Sequence, residues 1–152
     1  MRRRLALGLL VAALAALPTS GDAHAFRIPM VLVAHPSIKA NTAHVHELRA
    51  IFLRQSEQLS GQKVIPVTYV TGNALRVDFD ERVLGMSADE TARYWVDARI
   101  RGLGAPPRSV SSPQLLVRVV ASLPGAIGYA PKSLVEGTVL KVLRVEGLAQ
   151  PL

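Results

Sequence analysis

Thr71-Gly72-Asn73 stands where an apolar, β-branched run from Val64 to Val70 gives way to residues at helical spacing. Backbone amides left free at a helix start, helped by the helix dipole, attract anions without any charged side chain. Arg76, one turn further on, adds a guanidinium able to make a charge-assisted hydrogen bond to the same anion. The same residues also read as an ordinary cap, with Asn73 or Thr71 accepting from a backbone amide and Arg76 in solvent. Ser37, in His35-Pro36-Ser37, is a second candidate anion contact. It follows an apolar strand, and open α/β sheets place their ligands at the carboxyl ends of parallel strands. The alternative for Ser37 is a loop serine bonded to its own backbone.

His35, His44 and His46 with Glu47 raise a metal reading, since imidazole and carboxylate suit zinc or copper where cysteine is lacking. The spacing argues against it. His44 and His46 are two apart, a separation that turns side chains away from each other on a helix, and there is no H-x-x-x-H pair. No metal and no cofactor are expected. Asp78, Asp80 and Glu81 read as the solvated side of an amphipathic helix, and Asp89 and Glu90 as capping residues. Neither a nucleophile elbow nor a G-x-x-x-x-G-K loop is present, so the chain reads as a binding protein and not an enzyme.

The elements that must position these residues follow from periodicity. Ile28 to Ala34 is a short, nearly continuous apolar run, the mark of a strand buried on both faces. Val45, Leu48, Ile51 and Phe52 share one face of a helix that Asn41 or Thr42 would cap. The strand at Val64 to Val70 follows, and strand, helix, strand predicts a right-handed crossover joining a parallel pair. Leu75, Phe79 and Val83 predict a further helix stopped by Gly85. Ser87-Ala88-Asp89-Glu90 is a capping box opening a helix with Trp95, Val96 and Ile100 on its apolar face. Gly102 to Pro107 must be loop. Ser112 and Pro113 start a helix with Leu116, Val119, Val120 and Leu123 inward. Strands at Ala126 to Ala130, with Tyr129 at the sheet edge, and at Thr138 to Val145 complete an α/β layer structure.

Met1-Arg2-Arg3-Arg4, the apolar stretch Leu5 to Leu17 and Ala23-His24-Ala25 form the pattern of a cleaved signal peptide spanning residues 1–25, with Phe26 as the first mature residue. The apolar run is short for a bilayer span, which needs ~20 residues, and no second such run follows. The remaining residues suffice for one domain with one core. The net charge of +7 loses three arginines and one aspartate with the leader, and the excess that remains favours anionic partners. No basic stripe interleaved with aromatics is present, so nucleic acid is not an expected partner. The chain contains no cysteine. Disulfides are therefore excluded, and the fold rests on its apolar core.

Three stretches carry a resemblance: Glu47-Leu48-Arg49-Ala50-Ile51-Phe52-Leu53, Val64-Ile65-Pro66-Val67 and Pro124-Gly125-Ala126-Ile127-Gly128-Tyr129. In this order they resemble the phosphate-type substrate-binding proteins of ABC transporters, with a helix ending in an "IF-G" phrase, a strand leading to the anion loop and a late "PGAIGY" strand. Tyr94-Trp95 through Gly102-Leu103-Gly104-Ala105-Pro106-Pro107 is similar to a short, single-lobe branch of that family. The resemblance covers most of residues 30 to 143. It implies an α/β fold forming a single periplasmic-binding-protein-like lobe over residues 26–152, with a small, mainly parallel sheet flanked by helices. It places the anion loop at Val67-Thr68-Tyr69-Val70-Thr71-Gly72-Asn73, where Val67 and Tyr69 fill the places of the family's Arg and Asp. The implied function is non-catalytic binding of phosphate or a similar oxyanion in the periplasm, with a transporter or another envelope protein as partner and no integral membrane segment after leader cleavage. The alternative is a ligand-less adaptor that kept the fold and docks an envelope partner.

Overall fold

The computed structural model describes residues 27–152; the expected leader and its junction at Phe26 lie outside them. Strand β1 (Met30–Ala34) leads through a short strand β2 (Thr42–His44) into helix α1 (Val45–Phe52). The cap of α1 is His44, two or three residues later than expected, because Thr42 and Ala43 are drawn into pairing with the last strand. Glu47 Oε2 accepts from the His44 amide at 3.0 Å and completes a capping box. A small hairpin, β3 (Gln58–Leu59) and β4 (Gln62–Lys63), precedes strand β5 (Ile65–Tyr69).

Helix α2 (Ala74–Phe79) widens into a π-helical turn (Asp80–Leu84) and stops at Gly85, whose φ of 68° is left-handed. Helix α3 (Ala88–Ile100) opens on the expected capping box, with the Ser87 amide donating to Glu90 Oε2 at 2.8 Å. That bond, with the Ser87 hydroxyl, holds the Glu90 carboxyl below its ordinary range. After the loop come β6 (Arg108–Val110), α4 (Pro113–Ser122), β7 (Ala126–Pro131), a one-turn helix α5 (Lys132–Val135) and β8 (Lys141–Glu146).

Six strands form one sheet in the order β2-β8-β1-β7-β5-β6. The junctions β2/β8, β7/β5 and β5/β6 are parallel, and β8/β1 and β1/β7 antiparallel. The expected parallel pair of β1 and β5 does not form, because β7 lies between them. Residues 126–130 of β7 are all buried, so the apolar Ala126 to Ala130 run takes the centre of the sheet, where both faces are covered. Tyr129, expected at the edge, is therefore fully enclosed, stacked on Phe79 at 3.8 Å between ring centroids. Since β1 runs antiparallel to β7 while β5 runs parallel to it, β1 and β5 end at opposite ends of the sheet.

The helices pack on this sheet through the residues that periodicity picked out, Leu48, Ile51, Phe52, Leu75, Phe79, Val83, Leu116 and Val120. Gly128 admits α4 closely: a Cβ there would stand 3.1 Å from Leu116 Cδ2 and 3.2 Å from the Val67 carbonyl oxygen. The expected face of α3 is corrected. It buries Thr91, Trp95 and Ala98, whereas Val96 and Ile100 are 62% and 79% exposed.

Candidate anion site at the carboxyl end of β5

β5 ends at Tyr69, and the chain turns through Thr71 and Gly72 before α2 begins. The turn closes with the Asn73 amide donating to the Val70 carbonyl at 3.2 Å, and Gly72 takes a φ of +84° that other residues adopt only at a cost. Asn73 is the cap of α2, its Oδ1 accepting from the Leu75 amide at 2.9 Å. Thr71 and Gly72 are exposed.

Arg76 is turned inward. Its Nη1 donates to the Tyr69 carbonyl at 2.9 Å, and its Nε lies 3.4 Å from Asp80 Oδ2, with the side chain 13% exposed. Asp80, expected on a solvated face, is buried at 5% exposure. The reason is tertiary: the stop at Gly85 and the capping box at Ser87 fold α3 back over the π-helical turn, so that Thr91 covers Asp80. Burial raises the Asp80 carboxyl above its ordinary range, and Arg76 and then Thr91 pull it back down. The Thr91 hydroxyl is itself buried and makes no hydrogen bond of ordinary geometry.

These groups share a cavity of about 350 Å³. Thr71, Gly72, Arg76 and Asp80 line one side, and Thr91, Trp95, Pro106, Pro107 and Ser109 the other. Asp80, Thr91 and Ser109 carried no site signal in the sequence. The one available hint was the Arg76/Asp80 spacing of four, which places both on one helix face.

Ser37 is not part of this assembly. It lies beyond β1, at the end of the sheet opposite Thr71, where its Oγ contacts His35 Nδ1 at 2.8 Å and accepts from the Gly125 amide at 3.0 Å. Thr71, Gly72, Asn73 and Arg76 are brought together, and Ser37 pins the turn before β7 instead.

The histidines are arranged differently from the helical argument. His44 is an extended cap and not a helical residue, so its Nδ1 comes within 2.6 Å of His46 Nδ1. His35 is bound up with Ser37 in a different loop. Among the described residues no group of three or more His, Asp or Glu side chains is placed to hold a metal ion.

A strand end, a left-handed glycine and a capped helix beside a solvent-facing cavity form a general means of holding a small polar ligand. Solved structures with the same architecture include an ABC-type phosphate transport receptor from Vibrio cholerae (TM-score 0.61, 18% identity, 82% of this chain on 48% of that one). The chain shares its fold. A phosphate ABC transporter substrate-binding protein from Clostridium perfringens, solved with bound phosphate, matches at TM-score 0.62 and 18% identity over 78% of this chain and 45% of that one. PstS from Borrelia burgdorferi matches at TM-score 0.62 and 14% identity, with 80% and 49% covered. The resemblance read from the sequence thus holds at the level of the fold, and the chain spans about half the length of these structures. No protein-family model matches the chain. No curated protein sequence matches it either. Among the described residues no helix is long and apolar enough to cross a membrane.

Proposed function

We propose that the protein is an exported, non-catalytic solute-binding protein that holds phosphate or a similar oxyanion at Thr71-Gly72-Asn73 and works in the periplasm with a transporter or another envelope protein. The observation that carries this reading is the turn at Gly72, which leaves the end of β5 and the start of α2 beside an open cavity, in a fold shared with phosphate receptors. Arg76 serves the site indirectly. Its two bonds, to Tyr69 and Asp80, fix the turn from beneath and leave the anion to backbone amides and to the Thr71 hydroxyl. With one face of the site in solvent, binding is weak and salt-sensitive.

Calorimetry with inorganic phosphate tests this reading. Saturable binding at millimolar phosphate is expected, weakened by added salt and lost in Gly72→Val, whose β-branched side chain cannot take the left-handed turn without strain. Heat that is non-saturable, or identical in Gly72→Val, overturns it. The second reading, an adaptor without ligand, draws on one observation: Val96 and Ile100, one turn apart on α3, and Leu103 in the loop after it are exposed, apolar side chains of the kind that partners cover.

A further inference from the structure

A separation of two turns side chains apart on a helix and brings them to one face where the backbone is extended. His44 is extended, with φ −83° and ψ 143°, and only the residues after it are helical. Its Nδ1 therefore meets His46 Nδ1 at 2.6 Å, with the ring centroids 4.3 Å apart. At that distance one nitrogen donates a proton to the other. His44 Nδ1 already accepts from the His46 amide at 3.4 Å, so it is the acceptor of the pair and His46 Nδ1 the donor. The His44 ring is seated from behind: a Cβ on Gly147 would stand 2.6 Å from its Cε1 and 3.0 Å from its Nε2, a place that only glycine leaves open. His46 is exposed and has room to turn. Two imidazole nitrogens thus converge on one point of the surface, one ring fixed and the other adjustable.

We propose that His44 and His46 chelate a single copper(II) ion, both Nδ1 atoms binding at a right angle to each other with water in the remaining positions. Nitrogens ~2.0 Å from one ion lie about 2.8 Å apart at a right angle and about 3.3 Å apart at the tetrahedral angle. From 2.6 Å the pair opens by about 0.2 Å for the first arrangement and by about 0.7 Å for the second. Tetragonal sites of nitrogen and oxygen are the preference of copper(II), and tetrahedral ones that of zinc. The ion takes the place of the shared proton, which passes through solvent to His46 Nε2. The only other contact given up at His44 Nδ1 is the long bond from the His46 amide. The backbone beneath stays held, because Glu47 Oε2 keeps the His44 amide at 3.0 Å. Glu146 pairs with His44 in the β2/β8 ladder and brings a negative charge to the same face, with Arg144 one step away opposite Thr42. β2 is the edge strand, and β8, β1 and β7 separate it from β5, so this site is independent of the anion reading.

The full chain is titrated by calorimetry with copper(II) chloride and, separately, with zinc chloride. One copper ion per chain is expected to bind at micromolar concentration, and zinc at least tenfold more weakly. His46→Ala removes one nitrogen from an exposed position, and His44→Asn removes the other while keeping a good cap on α1. Each should weaken copper binding at least tenfold, whereas His35→Ala, in a different loop, should leave it unchanged. Copper(II) is paramagnetic, so its broadening of backbone amide signals locates the ion: the amides around His44 and His46 should fade first and those around Thr71 should persist. An ion bound to the folded state alone also raises the melting temperature, in the wild type and not in His46→Ala. Absence of copper binding at micromolar concentration overturns the site. So does equal affinity in the wild type and both ligand variants, or loss of binding in His35→Ala. Zinc bound as tightly as copper overturns the right-angle arrangement and with it the assignment of the ion.

Discussion

Arg76 and Asp80 face each other across one helical turn, and both are largely withdrawn from water. Removing one partner of a buried pair leaves the other uncompensated, which typically costs ~3 kcal/mol or more. Arg76→Ala should therefore lower the melting temperature, and any loss of ligand affinity in that variant follows from a disturbed turn. Asp80 also sets a pH dependence. Its folded pKa is raised above the ordinary 3.8 by burial, so the folded state binds the proton more tightly than the unfolded one does. The stability this contributes is present at low pH and lost as pH rises through the folded pKa. Wild type should thus lose stability relative to Asp80→Asn as pH rises above about 4, read from melts of both proteins across that range. A difference that does not change with pH sinks this account. Asp80 was illegible in the sequence for a physical reason. Its neighbours Asp78 and Glu81 place it on the polar side of its own helix, and the cover comes from Thr91 on another element, which periodicity within one helix cannot register.

Helix ends were legible where their chemistry is local, and the start of α1 was misplaced because pairing with β8 shifts its cap to His44. Ser87 with Glu90, Ser112 with Pro113 and the left-handed Gly85 each satisfy backbone groups within a few residues of themselves. The short strands β2, β3, β4 and β6, two or three residues each, were not legible: β2 and β6 are extended only because of partners far along the chain, and β3 and β4 pair with each other over too few residues to leave a pattern. The anion loop was legible as a strand-to-helix junction, and the far wall of its cavity was not, because that wall comes from α3 and the residues before β6. Trp95 shows how far the pattern reaches. It is buried as expected, yet it stands outside the main core and packs edge-on to Tyr94 with ring centroids 5.0 Å apart. Trp95→Ala should accordingly cost ~3 kcal/mol, at the low end for a buried tryptophan. Chemical denaturation measures it, and an unchanged midpoint would show that α3 is not held by this side chain.

Across the whole molecule the covering is uneven, and the candidate site lies on its weak side. β1, β7 and β5 run through the middle of the sheet, with α1, α2 and α4 contributing to the core around them. α3 packs chiefly on the π-helical turn, and its buried Trp95 and Ala98 do not join that core. Local opening draws on regions with few buried apolar contacts, so α3 and the loop to β6 should open at lower free energy than the sheet. That order matters for function, because α3 and this loop form the outer wall of the cavity while Thr71 and Gly72 are anchored to β5. A ligand filling the cavity ties the weak wall to the strong one and raises the protection of α3 by mass action. Native-state hydrogen exchange should show β7 amides exchanging only through global unfolding and α3 amides exchanging at least tenfold faster, with the gap narrowing when a ligand that enters the cavity is added. If α3 and β7 exchange together without ligand, the molecule opens as a single unit and the cavity wall has no independent motion for a ligand to restrain.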